Sequence, residues 1–127
     1  WDRLPVLAGV DRDELVRPPA AEAEAMVAAL GALEDGVSRL AGAYRVALPR
    51  LAAAYLDLRA SARAVSEGPA RRTLDRVEGD LWADWREGEH RLQRLVGSAA
   101  TAGVAAGAVA GLEAILAGDA TDILPGR

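Results

Sequence analysis

The sequence contains no cysteine, which excludes disulfide frameworks, thiolate catalysis and cysteine-ligated zinc or iron–sulfur sites. It also contains no lysine, asparagine or phenylalanine, and all 15 basic residues are arginine. This bias is typical of a protein from a GC-rich bacterium, so the arginines alone do not indicate an anion-binding site. The net charge of -4 argues against nucleic acid as a partner, because nucleic-acid binders usually present a basic face.

The chain of 127 residues is long enough for one domain with a single hydrophobic core. Pro5 and Gly9 prevent a long helix near the N-terminus, whereas Pro18 and Pro19 suit the first turn of one. These signals divide the chain into three parts. They are an irregular N-terminal arm over residues 1–17, a helical bundle domain over 18–118 and a C-terminal tail over 119–127.

The most apolar stretch, residues 98–117, carries Gly103, Gly107 and Gly111 at four-residue spacing. This GxxxG repeat lets two helix backbones approach closely. The stretch is mostly alanine and glycine, which gain far less than leucine from entering a bilayer. We therefore expect a small-residue helix face that another helix covers, in a soluble, cytoplasmic protein, and not a membrane span.

A stripe of apolar residues with alternating steps of three and four predicts helix over the first half of the domain. Pro49 interrupts it, since proline removes a hydrogen bond and clashes with the preceding turn of a helix. The sequence favours a tight break near residues 45–49, with one long kinked helix as the alternative. The stripe consists of Met26, Leu30, Leu33, Val37, Leu40, Tyr44, Leu48, Leu51, Tyr55 and Leu58.

The turn cluster at residues 66–69 marks a second break, with Gly68 ending one helix and Pro69 starting the next. Gly97 and Ser98 then offer a stop and a new N-cap, and the last helix is predicted to run to about Ala117. Four helices joined by short connections predict an all-α, up-and-down antiparallel four-helix bundle.

Glu87 and His90 form an ExxH pair, whose spacing places a carboxylate and an imidazole beside one metal ion on a helix. The surrounding segment, residues 80–92, resembles a metal-binding helix of ferritin-like proteins, the group that includes rubrerythrins and di-iron hydroxylases. The resemblance implies a ferritin-like bundle in which Glu87 and His90 bind metal and Glu24 or Glu34, on the first helix, adds a carboxylate. His90 is the only histidine in the sequence, so the second ExxH of that group has no counterpart here.

Helix geometry directs this pair away from the core. At about 100° per residue, His90 points about 180° and Glu87 about 120° away from Leu81, which lies on the apolar stripe of the third helix. Both side chains are therefore expected in a solvated cluster with neighbouring arginines. On the same stripe Trp85 is expected in the core, whereas Trp82, about 100° off it, is a candidate interface anchor. The stripe consists of Leu74, Val77, Leu81, Trp85, Leu92 and Leu95, with Gly88 also on it.

Two hypotheses for function follow. The leading one is a metal-free bundle with no cofactor that self-associates as a homodimer or binds another protein. The alternative is an oxidase, hydroxylase or iron-storage module in which Glu87 and His90 complete an iron or manganese site across a two-fold axis between subunits. Only the alternative makes the protein an enzyme or an iron store, and the sequence leaves that choice open.

Overall fold

The computed structural model describes residues 20–62 and 68–118, and its regular secondary structure there is helical throughout, without a strand. The prediction of an all-α chain with four helices is confirmed over this part of the chain. The predicted arm, residues 1–17, and the predicted tail, residues 119–127, lie outside it. The helices are α1 (Ala21–Ala32), α2 (residues 36–61), α3 (Gly68–Leu95) and α4 (Ala99–Ala117).

The first break lies earlier than the sequence predicted. α1 ends at Ala32, Leu33 takes an extended conformation, and α2 begins at Gly36. Asp35 is the N-cap of α2, since its carboxylate accepts a hydrogen bond of 2.7 Å from the Ser38 N–H. Hydrogen bonds from the Ser38 side chain and backbone lower the pKa of Asp35, and the bond with the side chain is the main cause. The apolar stripe runs through this turn without a change of spacing, so periodicity alone did not reveal it.

The predicted break near residues 45–49 is wrong. α2 continues from Gly36–Gly42 through a π-helical turn, Ala43–Ala47, into Leu48–Ser61. The wider turn ends two residues before Pro49. An ordinary α-helix accommodates proline poorly, because proline lacks an N–H and its ring is bulky. The alternative of a helix that passes through Pro49 is therefore correct for residues 36–61, although not for the whole span from α1.

The starts of α3 and α4 agree closely with the sequence signals. α3 begins at Gly68, which is its first residue and not the end of the preceding helix. α4 begins after Ser98, whose side chain accepts from the Thr101 N–H at 3.2 Å while the Thr101 hydroxyl accepts from the Ser98 N–H at 3.1 Å. This reciprocal capping box confirms the predicted N-cap, and α4 ends at Ala117 as predicted.

The core consists of two adjoining clusters, both of which include residues of α2 and α4. The first joins these helices to α1, and the second joins them to α3. Val46 and Leu92 are the largest fully buried side chains among the described residues. The first cluster contains Met26, Val46, Leu112 and Leu116, and the second contains Ala41, Leu92 and Ala105.

Three leucines of the predicted stripes do not lie in this core. Leu51 is 43% exposed, Leu58 47% and Leu95 50%. In the second half of α2 the buried position is Ala52 instead. In the first half of α2 the stripe residues are half-buried at the edge of the core, and after the π-helical turn two of the stripe leucines are exposed.

Candidate functional site

The π-helical turn of α2 leaves a backbone acceptor free. The Leu48 N–H donates to the carbonyl of Ala43 and not to that of Tyr44, and Pro49 has no N–H to offer. The indole N–H of Trp85 on α3 donates to the Tyr44 carbonyl at 2.8 Å. A part-buried tryptophan thus supplies the hydrogen bond that the helix itself does not make.

Gly88 lets α3 approach this turn. It is buried one helical turn after Trp85, and a Cβ atom at this position would lie 2.1 Å from a ring carbon of Tyr44. No side chain therefore fits beside the tyrosine ring without moving it. The sequence placed Gly88 on the apolar face of α3, and its burial confirms that placement.

Arg45 and Glu89 form an ion pair across the same contact. The Arg45 guanidinium donates to both carboxylate oxygens of Glu89, at 3.1 and 2.6 Å. The hydrogen bond from Arg45 is the main cause that lowers the pKa of Glu89 below its ordinary value of 4.5, and the same bond raises the pKa of Arg45. We call the set of Tyr44, Arg45, Trp85, Gly88 and Glu89 the π-turn junction.

The ion pair predicts an acid-dependent loss of stability. Because the pKa of Glu89 is lowered in the folded chain, its contribution is present above the ordinary value of 4.5 and is lost as the pH falls through the folded value. Since Arg45 is 39% exposed, solvent screening limits this contribution to about 1 kcal/mol or less. We expect Glu89→Gln to flatten the dependence of urea-unfolding free energy on pH below about pH 4.5. An unchanged pH profile in the variant would contradict this role of Glu89.

The predicted metal ligands Glu87 and His90 both lie on the exposed face of α3, as the helix geometry predicted. The Glu87 carboxylate pairs with Arg91 one turn later, at 2.5 Å. Within residues 20–62 and 68–118, no group of three or more histidine, aspartate or glutamate side chains is arranged to hold a metal ion. A metal site on Glu87 and His90 therefore stays a prediction that depends on ligands from outside this part of the chain.

The carboxylates proposed to complete that site are exposed and separate in the fold. Glu24 lies in the first turn of α1. Glu34 lies in the turn between α1 and α2, so its predicted place on the first helix is wrong, because the helix ends at Ala32. In the described residues neither glutamate joins Glu87 and His90 in a group of potential ligands.

Trp82 and Trp85 form an edge-to-face pair with ring centroids 5.9 Å apart. Both are half-buried. Trp85 is anchored by its hydrogen bond to the Tyr44 carbonyl. The apolar stripe predicted a core position for Trp85 but did not predict this hydrogen bond. A role for Trp82 as an interface anchor stays a prediction.

The outward face of α4 is apolar and exposed, so the prediction that another helix covers its small-residue face is wrong within the described residues. Among the described helices, α4 is the one that is long and apolar enough to cross a membrane by length and composition, yet only 17% of its most apolar window is buried. Cβ atoms added at Gly103, Gly107 and Gly111 would meet nothing within 4 Å. Val104 between them is 45% exposed. We call these four residues and the neighbouring exposed alanines, Ala106 and Ala110, the α4 outer face.

Sequence reasoning singled out Trp85 and Gly88 but missed their partner on α2. The signal was Tyr44 followed by Pro49, because a proline in a continuing helix leaves carbonyls of the preceding turn without donors. A tryptophan on a facing helix is a suitable donor for one of them.

No protein-family model matches the chain, and no curated protein or solved structure matches it either.

Proposed function

We propose that this protein is a metal-free helical bundle that associates through the α4 outer face, with a second copy of the chain as the favoured partner. The observation that carries the proposal is the combination of apolar composition and exposure in α4. A surface helix normally has a polar outer side, and a helix that is apolar all round is normally buried. α4 is apolar all round and exposed, which marks it as a contact surface.

The charge distribution of α4 supports this proposal. Glu113 is its only charged residue, and the Glu113 carboxylate pairs with Arg50 on α2. The α4 outer face therefore presents no charge that a partner would have to desolvate. Its glycines make it flat, and a flat face of small residues allows close packing of a facing helix.

The helix contacts support an up-and-down antiparallel bundle as the platform for this face. Arg45 pairs with Glu89 and Arg59 with Asp75, so residue numbers fall along α3 as they rise along α2. Along α2 and α4 they rise together, as the core clusters with Ala105 and Leu112 indicate. Neighbouring helices in the chain then alternate in direction, which is the arrangement that short connections favour. A ferritin-like identity of this bundle remains part of the proposal.

A protein partner fits the α4 outer face better than a bilayer does. Alanine and glycine gain little free energy from transfer into lipid, so a helix built mainly from them is weakly held there. The same residues cost little to desolvate against a facing helix and lose no side-chain entropy in the contact. The proposal therefore places the protein in solution, in the cytoplasm.

The test is the oligomeric state of the wild-type chain and of Gly107→Leu by sedimentation equilibrium. A leucine at this open position has a better helix propensity than glycine, so the monomer should fold, but it blocks close approach of a second helix. We expect a dimer for the wild type and at least about a tenfold weaker dimer for Gly107→Leu, equivalent to roughly 1.4 kcal/mol.

Gly79→Leu is the matched control, because Gly79 is an exposed glycine of α3 with nothing within 4 Å of an added Cβ. It should associate like the wild type. A wild-type chain that stays monomeric at high concentration, or equal weakening by both substitutions, would exclude the α4 outer face as the contact. Retention of the wild type on lipid vesicles with no dimer in solution would favour the membrane instead.

The second candidate function is the intersubunit metal site. The exposure of Glu87 and His90 on the outer side of α3 leaves them accessible to ligands from another chain. Loading the protein aerobically with ferrous iron, followed by desalting, tests it in the wild type and in His90→Ala. On the metal-free proposal neither protein retains iron, whereas about one iron per chain that His90→Ala loses would establish the metal site.

A further inference from the structure

The second half of α2 is out of phase with its own sequence. The apolar stripe continues with steps of three and four from Val37 to Leu58, which places all of its members on one side only if the helix is α-helical throughout. In the structure the stripe residues Leu51 and Leu58 are 43% and 47% exposed and Ala52 is buried beside them, while the other two members of the stripe in this segment are only half-buried. The apolar pattern therefore describes a different register from the one observed.

The π-helical turn accounts for the difference. A π-turn holds one more residue than an α-turn, so it turns everything after it back by about one residue position, roughly 100°. Conversion of Ala43–Ala47 to α-helix would rotate Leu48–Ser61 forward by that amount. Leu51 and Leu58 would then point in the direction that Val37 and Tyr44 take in the first half of α2, toward α3.

The two registers differ in the donor that the Tyr44 carbonyl needs. In an α-helix the Leu48 N–H would donate to the Tyr44 carbonyl, but in the structure that carbonyl accepts from Trp85 and Leu48 donates to Ala43. We propose that residues 48–61 have two registers, and that the indole N–H of Trp85 favours the π register, because only in that register is it the sole donor to the Tyr44 carbonyl. The exposed leucine pair is therefore a surface that this part of the chain can present or withdraw.

The contacts specific to the π register are weak enough for such an equilibrium. Arg50 pairs with Glu113 and Arg59 with Asp75, and all four of these side chains are at least 40% exposed. Exposed ion pairs contribute little to stability. Pro49 also favours the π register, because its ring clashes with the preceding turn of an α-helix and it has no N–H to donate. Burial of the exposed area of the two leucines favours the all-α register instead. We propose that the hydrogen bond of Trp85 tips this balance toward the π register.

Trp85→Phe tests the proposal, because it removes the N–H donor and keeps an aromatic ring. In this variant the Tyr44 carbonyl is unpaired in the π register and paired with Leu48 in the all-α register. The chain has no native cysteine, so Leu58→Cys places a single reactive thiol on the exposed leucine face. We expect its rate of reaction with a maleimide to fall about tenfold or more when Trp85→Phe is added, since a buried thiol reacts only when the segment opens.

Two controls make the result specific. Gly79→Cys, on the exposed side of α3, should react equally fast with and without Trp85→Phe. Deletion of Ala47 removes the extra residue of the π-helical turn, so residues 48–61 keep their present orientation in an uninterrupted α-helix. In this deletion variant Leu58→Cys should therefore stay reactive both with and without Trp85→Phe. An unchanged rate for Leu58→Cys in a folded Trp85→Phe chain would overturn the proposal. Loss of the helical circular dichroism signal in Trp85→Phe would also overturn it, because the all-α register is proposed to be a folded state.

Discussion

Replacement of Leu92 by alanine is expected to lower the free energy of unfolding by about 2–5 kcal/mol. Leu92 is 0% exposed and lies in the core cluster with Ala41 and Ala105. The other two buried residues of that cluster are alanines, which have no side-chain freedom with which to fill the cavity, and the partly buried aliphatic residues around them relax only in part. The substitution therefore loses both the transfer free energy of the leucine and the packing of the atoms around it. Urea unfolding followed by circular dichroism measures the change.

Leu95→Ala is the matched control for this prediction. Leu95 lies three residues further along α3 and belongs to the same predicted stripe, but it is 50% exposed. We expect a change of about 0.5 kcal/mol or less, as for other surface substitutions. Equal losses for Leu92→Ala and Leu95→Ala would show that α3 packs against α2 and α4 in another rotation.

Gly88→Ala is expected to lower the free energy of unfolding by about 1–3 kcal/mol, although alanine is the better helix former. The added methyl group would lie 2.1–2.2 Å from three atoms of the Tyr44 ring. The Tyr44 backbone is held by the hydrogen bond from Trp85 and by the π-helical turn, so the ring can make room only by rotating about its side-chain bonds. Thermal unfolding and urea unfolding both report the loss.

The comparison with Gly79→Ala isolates the effect of the tyrosine ring. An alanine at Gly79 meets nothing within 4 Å and should raise stability by about 0.5–1 kcal/mol. Replacing Tyr44 by alanine in the Gly88→Ala chain removes the ring, so the two substitutions should be strongly non-additive. Additive losses would mean that Gly88 and Tyr44 are not in contact.

The helical class and most helix ends could be predicted because their signals are local. Ser98 with Thr101 is a capping box that needs only the sequence around it, and the turn before Gly68 carries its own glycine and proline. The end of α1 was missed because the apolar stripe crosses it with the spacing of a continuous helix. Asp35, an N-cap followed three residues later by Ser38, was the available signal.

The π-turn junction could not be predicted in the same way, because it depends on two helices together. Pro49 indicates a disturbance of the helix, but whether a break or a π-helical turn results depends on a donor for the Tyr44 carbonyl. That donor, Trp85, lies 41 residues away in the sequence. The outward direction of Glu87 and His90, in contrast, followed from the period of one helix and is confirmed.

We propose that two copies of the chain meet at the α4 outer face, and disulfide trapping detects this contact directly. Because the chain has no native cysteine, Gly103→Cys, Gly107→Cys and Gly111→Cys each introduce one thiol per chain on that face. Facing helices pack about 8–10 Å apart, so thiols at or near the crossing point can form a disulfide. We predict that mild oxidation gives a covalent dimer for at least one of these variants and not for Gly79→Cys on α3. Absence of covalent dimer at all three α4 positions, or equally rapid dimer formation through Gly79→Cys, would show that two copies do not meet at the α4 outer face.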